Sequence, residues 1–209
     1  SWYDCREFLH RLNELQPELH ARLTSEAEWE HACRAGTQTA TWLGDLEILG
    51  ERNAPLLDDI AWYGGNCGVD FELKKGYNTR GWANRQHEHK MGGTHPIRQK
   101  QANPLGLFDM LGNVYEWCMD KNRIYEAKSV ENPAVPDADL GSRRVLRGGS
   151  WGYHARDVRA AYRSRSEPGN RDGNLGFRVA RGQESSLEER AEPAPRSSEV
   201  NTLLSKRNK

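Results

Sequence analysis

Along the first sixteen residues the apolar positions Trp2, Cys5, Leu9, Leu12 and Leu15 recur at steps of three and four with charged residues between them. That spacing predicts an amphipathic helix packed on one face, with Pro17 helping to end it. Ser25-Glu26-Ala27-Glu28 announces a second helix. The Ser25 hydroxyl can accept the Glu28 amide proton while the Glu28 carboxylate reaches back to the Ser25 amide. Trp29, Ala32 and Cys33 form its inner face, and Gly36 is expected to stop it. From Thr37 to about Pro104 the periodicity fades, and glycine, asparagine, aspartate and isolated aromatics dominate. This is the pattern of long loops fixed by short strands or side-chain contacts. Order returns at Leu105–Trp117, an apolar run punctuated by Gly106 and Gly112, and Val114, Trp117, Val145 and Leu146 are expected to supply strands of a small core sheet. Arg163-Ser164-Arg165-Ser166 and Phe177-Arg178-Val179-Ala180 alternate at period two, so each strand turns arginine or phenylalanine to one side and small residues to the other. Beyond Gly182 the chain is poor in apolar residues and rich in charge, which predicts a mobile polar tail over 182–209 behind one domain at 1–181.

Composition narrows the function classes. The 209 residues are 36% hydrophobic, enough for one domain with a real core. Thirty basic and thirty acidic side chains cancel, so no whole-molecule field draws the protein to nucleic acid or to an anionic membrane. Cys5, Cys33, Cys67 and Cys118 form no C-x-x-C pair and read as reduced, partly buried thiols. His87, His89 and His95 suggest metal ligands, but no fourth donor stands at a fixed offset, and a solvated loop is the favoured reading. No apolar run approaches the roughly 20 residues needed to span a bilayer, and no signal peptide precedes the first helix pattern. Membrane insertion is therefore not expected, and a cytoplasmic location is favoured.

The stretch RGGSWGYHARDVRAAYRSRSEPGNRDGNLGFRVAR, from Arg147 to Arg181, contains no lysine or glutamine and a single glutamate. Between its Arg, Gly, Trp and Phe landmarks stand Tyr, Ser, Gly, Asn, Asp and His. Tyrosine offers rigid amphipathic area at low entropic cost, and Ser, Gly and Asn offer adaptable hydrogen bonds, as in an antibody paratope. The alternative is that these residues simply mark loops. Arg147, Arg156, Arg159, Arg163, Arg165, Arg171 and Arg178 could be taken for a nucleic-acid patch. Their placement at landmarks, without lysines, favours arginines that brace loops through forked hydrogen bonds.

Three blocks, ARLTSEAEWEHACRAGT, NPLGLFDMLGNVYEWCMD and RVLRGGSW ending in GFRVA, resemble the formylglycine-generating-enzyme-like (sulfatase-modifying factor) domain. The resemblance implies an α+β, C-type-lectin-like fold with two helices, small antiparallel sheets and extensive loops. It runs from Ser1 to about Arg181, and the family's usual first block is not found ahead of Ser1. Catalytic members use two cysteines shortly after Gly-Gly-Ser as a copper-binding pair. Aligned on Gly148-Gly149-Ser150, those positions hold Tyr153 and Val158, neither of which supplies a soft thiolate. No copper and no oxidation of a sulfatase cysteine are expected, and the histidine triad of related iron-dependent sulfoxide synthases cannot be assembled. The family's second calcium site, carried onto DMLGNVYEW, would draw on Asp109, the carbonyls of Gly112 and Val114, and Glu116. A structural turn is the alternative.

A subset of the family serves as variable proteins of diversity-generating retroelements, in which template adenines are randomised. Asn codons of the AAY type, changed at their first two bases, cannot yield Lys, Gln, Glu, Met, Trp or a stop. Gly152, Tyr153, His154, Asp157, Tyr162, Ser164, Ser166, Asn170, Asp172, Gly173 and Asn174 are all reachable in this way. They become candidate ligand-binding positions, while Trp151, Arg156, Arg163, Arg165, Pro168, Arg171 and Phe177 are read as fixed landmarks. The resemblance thus implies a non-enzymatic display protein with a protein ligand. Two alternatives stay open: a non-diversified interaction module, and an enzyme that recruits Tyr153, His154 and Asp157 for other chemistry. Tyr153, His154, Tyr162, Ser164 and Asp172 are expected to lie exposed on one face, with Trp151 and Phe177 in the core.

Overall fold

The computed structural model describes residues 1–70, 73, 75–122, 124 and 143–182. The tail expected after Gly182 lies almost wholly outside them. Helix α1 spans Trp2–Leu15, and its capping box joins Ser1 to Asp4. Trp2, Cys5 and Leu9 are buried as the stripe requires, but Leu15 is 81% exposed. The last turn is held by polar contacts instead: the Asn13 side chain donates to the Ala21 carbonyl and accepts from the Ala21 amide at 2.9 and 2.6 Å. A 3-10 turn at Pro17–Leu19 and a left-handed His20 lead into strand β1, Ala21–Leu23. Helix α2, Glu26–Arg34, starts at the expected Ser25/Glu28 capping box. It ends at Arg34, two residues before Gly36, because the cap residue Ala35 already turns left-handed while still donating to the His31 carbonyl.

The middle third is not a surface loop. Around the short α3, Leu57–Ile60, it buries Ala54, Leu57, Ile60, Ala61, Tyr63 and Cys67, and a two-residue ladder joins β2, Tyr77–Asn78, to β3, Met91–Gly92. Its aperiodic sequence follows from this irregular backbone, which side chains hold: Tyr63 donates to Gln86 at 2.6 Å and Asn66 to Asp58 at 2.9 Å.

Strand β4, Tyr115–Lys121, lies at the centre of a four-stranded sheet with β5, Arg144–Arg147, β6, Arg163–Ser166, and β7, Leu175–Gly176, in the order β6-β5-β4-β7. The pairings are antiparallel except β4 with β7, which is parallel. Alternation along β4 sends Tyr115 and Trp117 into a cluster with Trp2, Cys5, Leu9 and Leu146 beneath α1. Cys118 faces the other way, into a cluster with Trp29, Cys33 and Val145 beneath α2. The sheet is thus covered on both faces, and each helix contributes a tryptophan that is 0–1% exposed.

The strand expected at Phe177–Ala180 is divided. β7 ends at Gly176 and β8, Val179–Arg181, pairs antiparallel with β1. Phe177 and Arg178 make the crossing between the two sheets, and Arg178 is drawn inward by Glu116.

Candidate functional site

Period two in β6 decides where its arginines go. Arg163 lies opposite Arg147 on β5, and both reach the acidic first turns of α2. Arg147, 0% exposed, pairs with Glu30, donates to the Tyr162 carbonyl at 2.6 Å and stacks over Trp29. Arg163 donates to Glu26 at 2.8 Å. Arg178 forks onto both oxygens of Glu116 at 2.6 and 2.8 Å, and Glu116 also accepts the Trp29 indole proton at 2.6 Å. At the surface Arg171 forks onto Asp4 at 2.7 and 2.8 Å, tying the stretch to the start of α1. These four arginines brace the fold, whereas Arg156 and Arg165 are exposed. Removing one partner from a buried pair costs about 3 to 5 kcal/mol, so the braces fix the stretch even if they add little net stability over an apolar core.

Left-handed glycines permit two adjoining turns, one after β5 and one before β4, which are joined by the Gly112 amide donating to the Gly148 carbonyl at 2.8 Å. Gly149, at φ +75°, sits where an added Cβ would lie 2.8 Å from a Val158 methyl, and at Gly112, at φ +74°, it would lie 2.3 Å from the Trp62 carbonyl. Only glycine fits such approaches in the left-handed region.

Several candidate binding positions then come together. Tyr153, 39% exposed, packs edge-on against Tyr115 at 4.8 Å between ring centres. His154 lies 3.0 Å from the Arg52 guanidinium, and Arg52 stacks on Trp82 at 4.8 Å. A Cβ on Gly152 would touch the same Trp82. The Trp151 indole points to the Gly173 carbonyl at 3.4 Å, and the Asn174 carbonyl accepts the Tyr115 amide proton at 2.8 Å. Asp172 and Gly173 are exposed. Ser164 and Ser166 sit on β6, at the sheet edge opposite β7, and Asn170 donates to Ser166 at 3.1 Å.

The expectation of one exposed face holds for Tyr153 and Asp172 only in exposure: His154, Tyr162 and Ser164 are half-buried, and Ser164 lies on β6 at the opposite sheet edge from β7. Three further placements depart from the sequence reading. Asp157 is buried, 8% exposed, and its carboxylate neighbours the half-buried Tyr162 hydroxyl, which burial and then that charge push upward in pKa. Trp151 is half-buried against Trp82 and Tyr77 rather than in the core, because the turn after Gly149 carries it to the rim. Phe177 is half-buried too, edge-on to the exposed Phe8 at 5.6 Å. Sequence reasoning missed Arg52, Tyr77, Trp82 and Tyr115. The first three stand in the aperiodic middle third, where no spacing marks them, and Tyr115 reads as an ordinary strand residue.

The chemistry within reach is limited. Val158 is 0% exposed in the core, and Tyr153 presents a phenol. All four thiols are buried, and burial pushes Cys33 and Cys67 up to about 12 and Cys118 well above its ordinary value. Protonated thiols of this kind are poor nucleophiles and poor metal ligands. His87 bonds Asp58, His89 bonds Thr79, and His95 bonds the Cys67 carbonyl while stacking on Trp62. His89 and His95 are buried, which replaces the solvated-loop reading with a structural one. Among the described residues no group of three or more His, Cys, Asp or Glu could hold a metal ion. The residues of the calcium motif do not fit a cation as arranged. Both Glu116 oxygens face the Arg178 guanidinium, and Asp109, itself left-handed at φ 54°, accepts the Arg98 amide proton at 2.8 Å.

Comparison with known proteins places this geometry. The sulfatase-modifying factor enzyme 1-like domain matches residues 1–183. The formylglycine-generating enzyme of Mus musculus is 32% identical over 169 residues, covering 76% of this chain and 38% of that protein. A serine/threonine-protein kinase, pkn1, of Chlamydia caviae is 45% identical over 91 residues, which is 43% of this chain and 15% of that protein. Among solved structures, variable protein 1 of Treponema denticola is 34% identical with a TM-score of 0.55, covering 76% of this chain and 46% of that one. The chain thus spans less than half the length of each of these three proteins. The architecture is the C-type-lectin-like fold of the formylglycine-generating type.

Proposed function

Since the chain belongs to the sulfatase-modifying factor enzyme 1-like domain family, we propose that it is a member without the family's oxidase chemistry: a ligand-binding display module and the variable protein of a diversity-generating retroelement. One observation carries the reading. Within one stretch, Tyr153, Asp172 and Gly173 are exposed and His154 is half-buried, while Arg163 and Arg178 turn inward to the fixed carboxylates of Glu26 and Glu116. A stretch built this way keeps its backbone when its surface residues change. The likeness to variable protein 1 of Treponema denticola supports the same assignment.

The absence of enzymatic activity rests on Tyr153 and Val158 at the thiol positions and on four buried thiols with raised pKa. The 15% of the Chlamydia kinase that is matched carries no kinase reading here. The ligand is a protein, since a rigid tyrosine-rich surface with adaptable polar neighbours fits a protein epitope. No membrane contact enters the proposal, and among the described residues no helix is long and apolar enough to cross a membrane.

The DNA beside the gene tests this. A near-identical repeat carrying adenines at the codons for Gly152, Tyr153, His154 and Asp172, next to a reverse transcriptase gene, is expected, and its absence would leave the non-diversified module. Turnover of a cysteine-containing sulfatase peptide under copper and oxygen would overturn the non-enzymatic assignment.

A further inference from the structure

The candidate variable positions border a group of side chains that they do not themselves supply. Tyr77, Trp82 and Trp151 form a closed triangle of rings, with centres 5.8, 6.1 and 6.4 Å apart and the two indoles within 15° of parallel. Separations of this size are direct aromatic contacts, so a partner meets the outer surface of the cluster rather than a slot inside it. That surface is open: Tyr77 is 60% exposed and both tryptophans are half-buried. Arg52 closes one side by stacking on Trp82 at 4.8 Å.

The charge of Arg52 is thinly matched. Its side chain is only 14% exposed, yet its one carboxylate contact among the described residues is Glu51 at 3.5 Å, and Glu51 is itself 60% exposed. Its other polar side-chain contact among the described residues is the His154 ring nitrogen. The guanidinium already takes the position over Trp82 that a cationic ligand would seek, and it repels a second cation. A carboxylate, in contrast, gains a charge-assisted hydrogen bond there, and the neighbouring rings cover the apolar part of the same segment.

We propose that Arg52, Tyr77, Trp82 and Trp151 form a constant anchor for a carboxylate-bearing segment of a protein partner, beside which Gly152 and His154 set selectivity. The anchor rests on the display reading but makes a separate claim. Three of its four residues lie outside the diversified stretch, so every variant would share it. Aromatic residues and arginine are the types that most often dominate protein interfaces. A nucleic acid would instead need several free cations along a backbone, and the neighbouring Arg85 is occupied by Glu88 and by the Thr79 and His89 carbonyls.

The test uses the full chain and three fluorescent pentapeptides, acetyl-Glu-Leu-Glu-Phe-Glu-amide and its Gln and Lys versions, with oligothymidylate as a fourth probe, read by fluorescence polarisation. The acidic peptide is expected to bind about ten-fold more tightly than the Gln version, with Lys weaker still. Arg52→Gln and Tyr77→Ser are each expected to lose about ten-fold for the acidic peptide, and Leu15→Ser, at an exposed position on α1, to stay within about two-fold. Tyr77 is exposed, so its variant keeps the test valid if Arg52→Gln unfolds. Equal binding of the acidic and Gln peptides, no binding at millimolar peptide, or preference for oligothymidylate overturns the anchor. A library randomised at 152–154 and 172–174 separates the two claims. Binders from it without acidic-peptide binding would leave display standing and the anchor fallen, and the reverse pattern would do the opposite.

Discussion

Two regions of this domain are built from the same residue types, tryptophan and arginine, and end up opposite in character. Beneath α2, Arg147, Arg163 and Arg178 meet Glu30, Glu26 and Glu116 around Trp29, and carboxylates and indole are enclosed with their partners. At the rim, Arg52 stacks on Trp82, which in turn meets Trp151 and Tyr77, with one stretched carboxylate contact and open aromatic surface. The difference lies in the supply of acidic residues. α2 opens with Glu26, Glu28 and Glu30, of which Glu28 completes the capping box and Glu26 and Glu30 serve as counter-ions, while the rim draws on Glu51 alone among the described residues. Charge that is matched inside makes scaffold, and charge left nearly unmatched at a surface is available to a partner.

The largest effect should come from opening the enclosed region. Glu116→Ala removes the acceptor of both Arg178 and Trp29, and its expected cost is about 3 to 5 kcal/mol in urea unfolding. A loss below about 1 kcal/mol would mean that the enclosed and open regions do not differ as described. Trp151→Ala should cost less, about 1 to 2 kcal/mol, because only part of its surface leaves water, against about 3 to 5 for Trp29→Ala. Equal losses would put Trp151 in the core after all.

Within the candidate binding stretch, Tyr153→Ser and Asp172→Ser should each move stability by no more than about 0.5 kcal/mol. Asp157→Ala should cost more, about 1 to 3 kcal/mol, since it removes a buried carboxylate from beside the half-buried Tyr162 hydroxyl. If all three behave alike, Asp157 belongs with the surface positions. Calcium at millimolar concentration should leave the melting midpoint unchanged. A rise in the midpoint would require Arg178 to leave Glu116 and would restore the calcium motif, because a ligand specific to the native state always raises it.

The smallest effect concerns the exposed clasp. Arg171 holds the Asp4 carboxyl well below its ordinary value. A depressed folded pKa contributes stability that is present above the unfolded carboxylate range and is lost as pH falls through the folded value. The difference between the wild-type and Asp4→Asn midpoints should therefore be small, constant at neutral pH and gone in strong acid. A difference that persisted in strong acid would assign the effect to something other than this charge.

How much of this was legible in the sequence depends on the range of the interaction. Both helices announced themselves because capping and amphipathic spacing are local, and Ser25 with Glu28 reads the same on the page and in the fold. The alternation in β6 correctly separated Arg163 from Ser164. The same reasoning over-extended at Phe177, where long-range pairing of β8 with β1 divided the strand, and at Leu15, where the apolar stripe outran the surface it covers. The resemblance located the stretch around Tyr153 and His154 through its landmarks. It could not locate Arg52, Tyr77 and Trp82, because they reach that surface through an aperiodic segment fixed by side-chain contacts such as Tyr63 with Gln86.

The central claim is that fixed arginines hold a stretch whose surface residues are free to vary and to bind. One measurement meets it directly: display a library randomised at Gly152, Tyr153, His154, Asp172, Gly173 and Asn174 with every brace kept, and measure the fraction that resists protease alongside selection on an arbitrary folded protein. Most members should stay as resistant as the parent, and specific binders should emerge that are lost when their randomised residues are reverted. A library that is largely protease-sensitive, or a folded one that yields no binders, would contradict the claim.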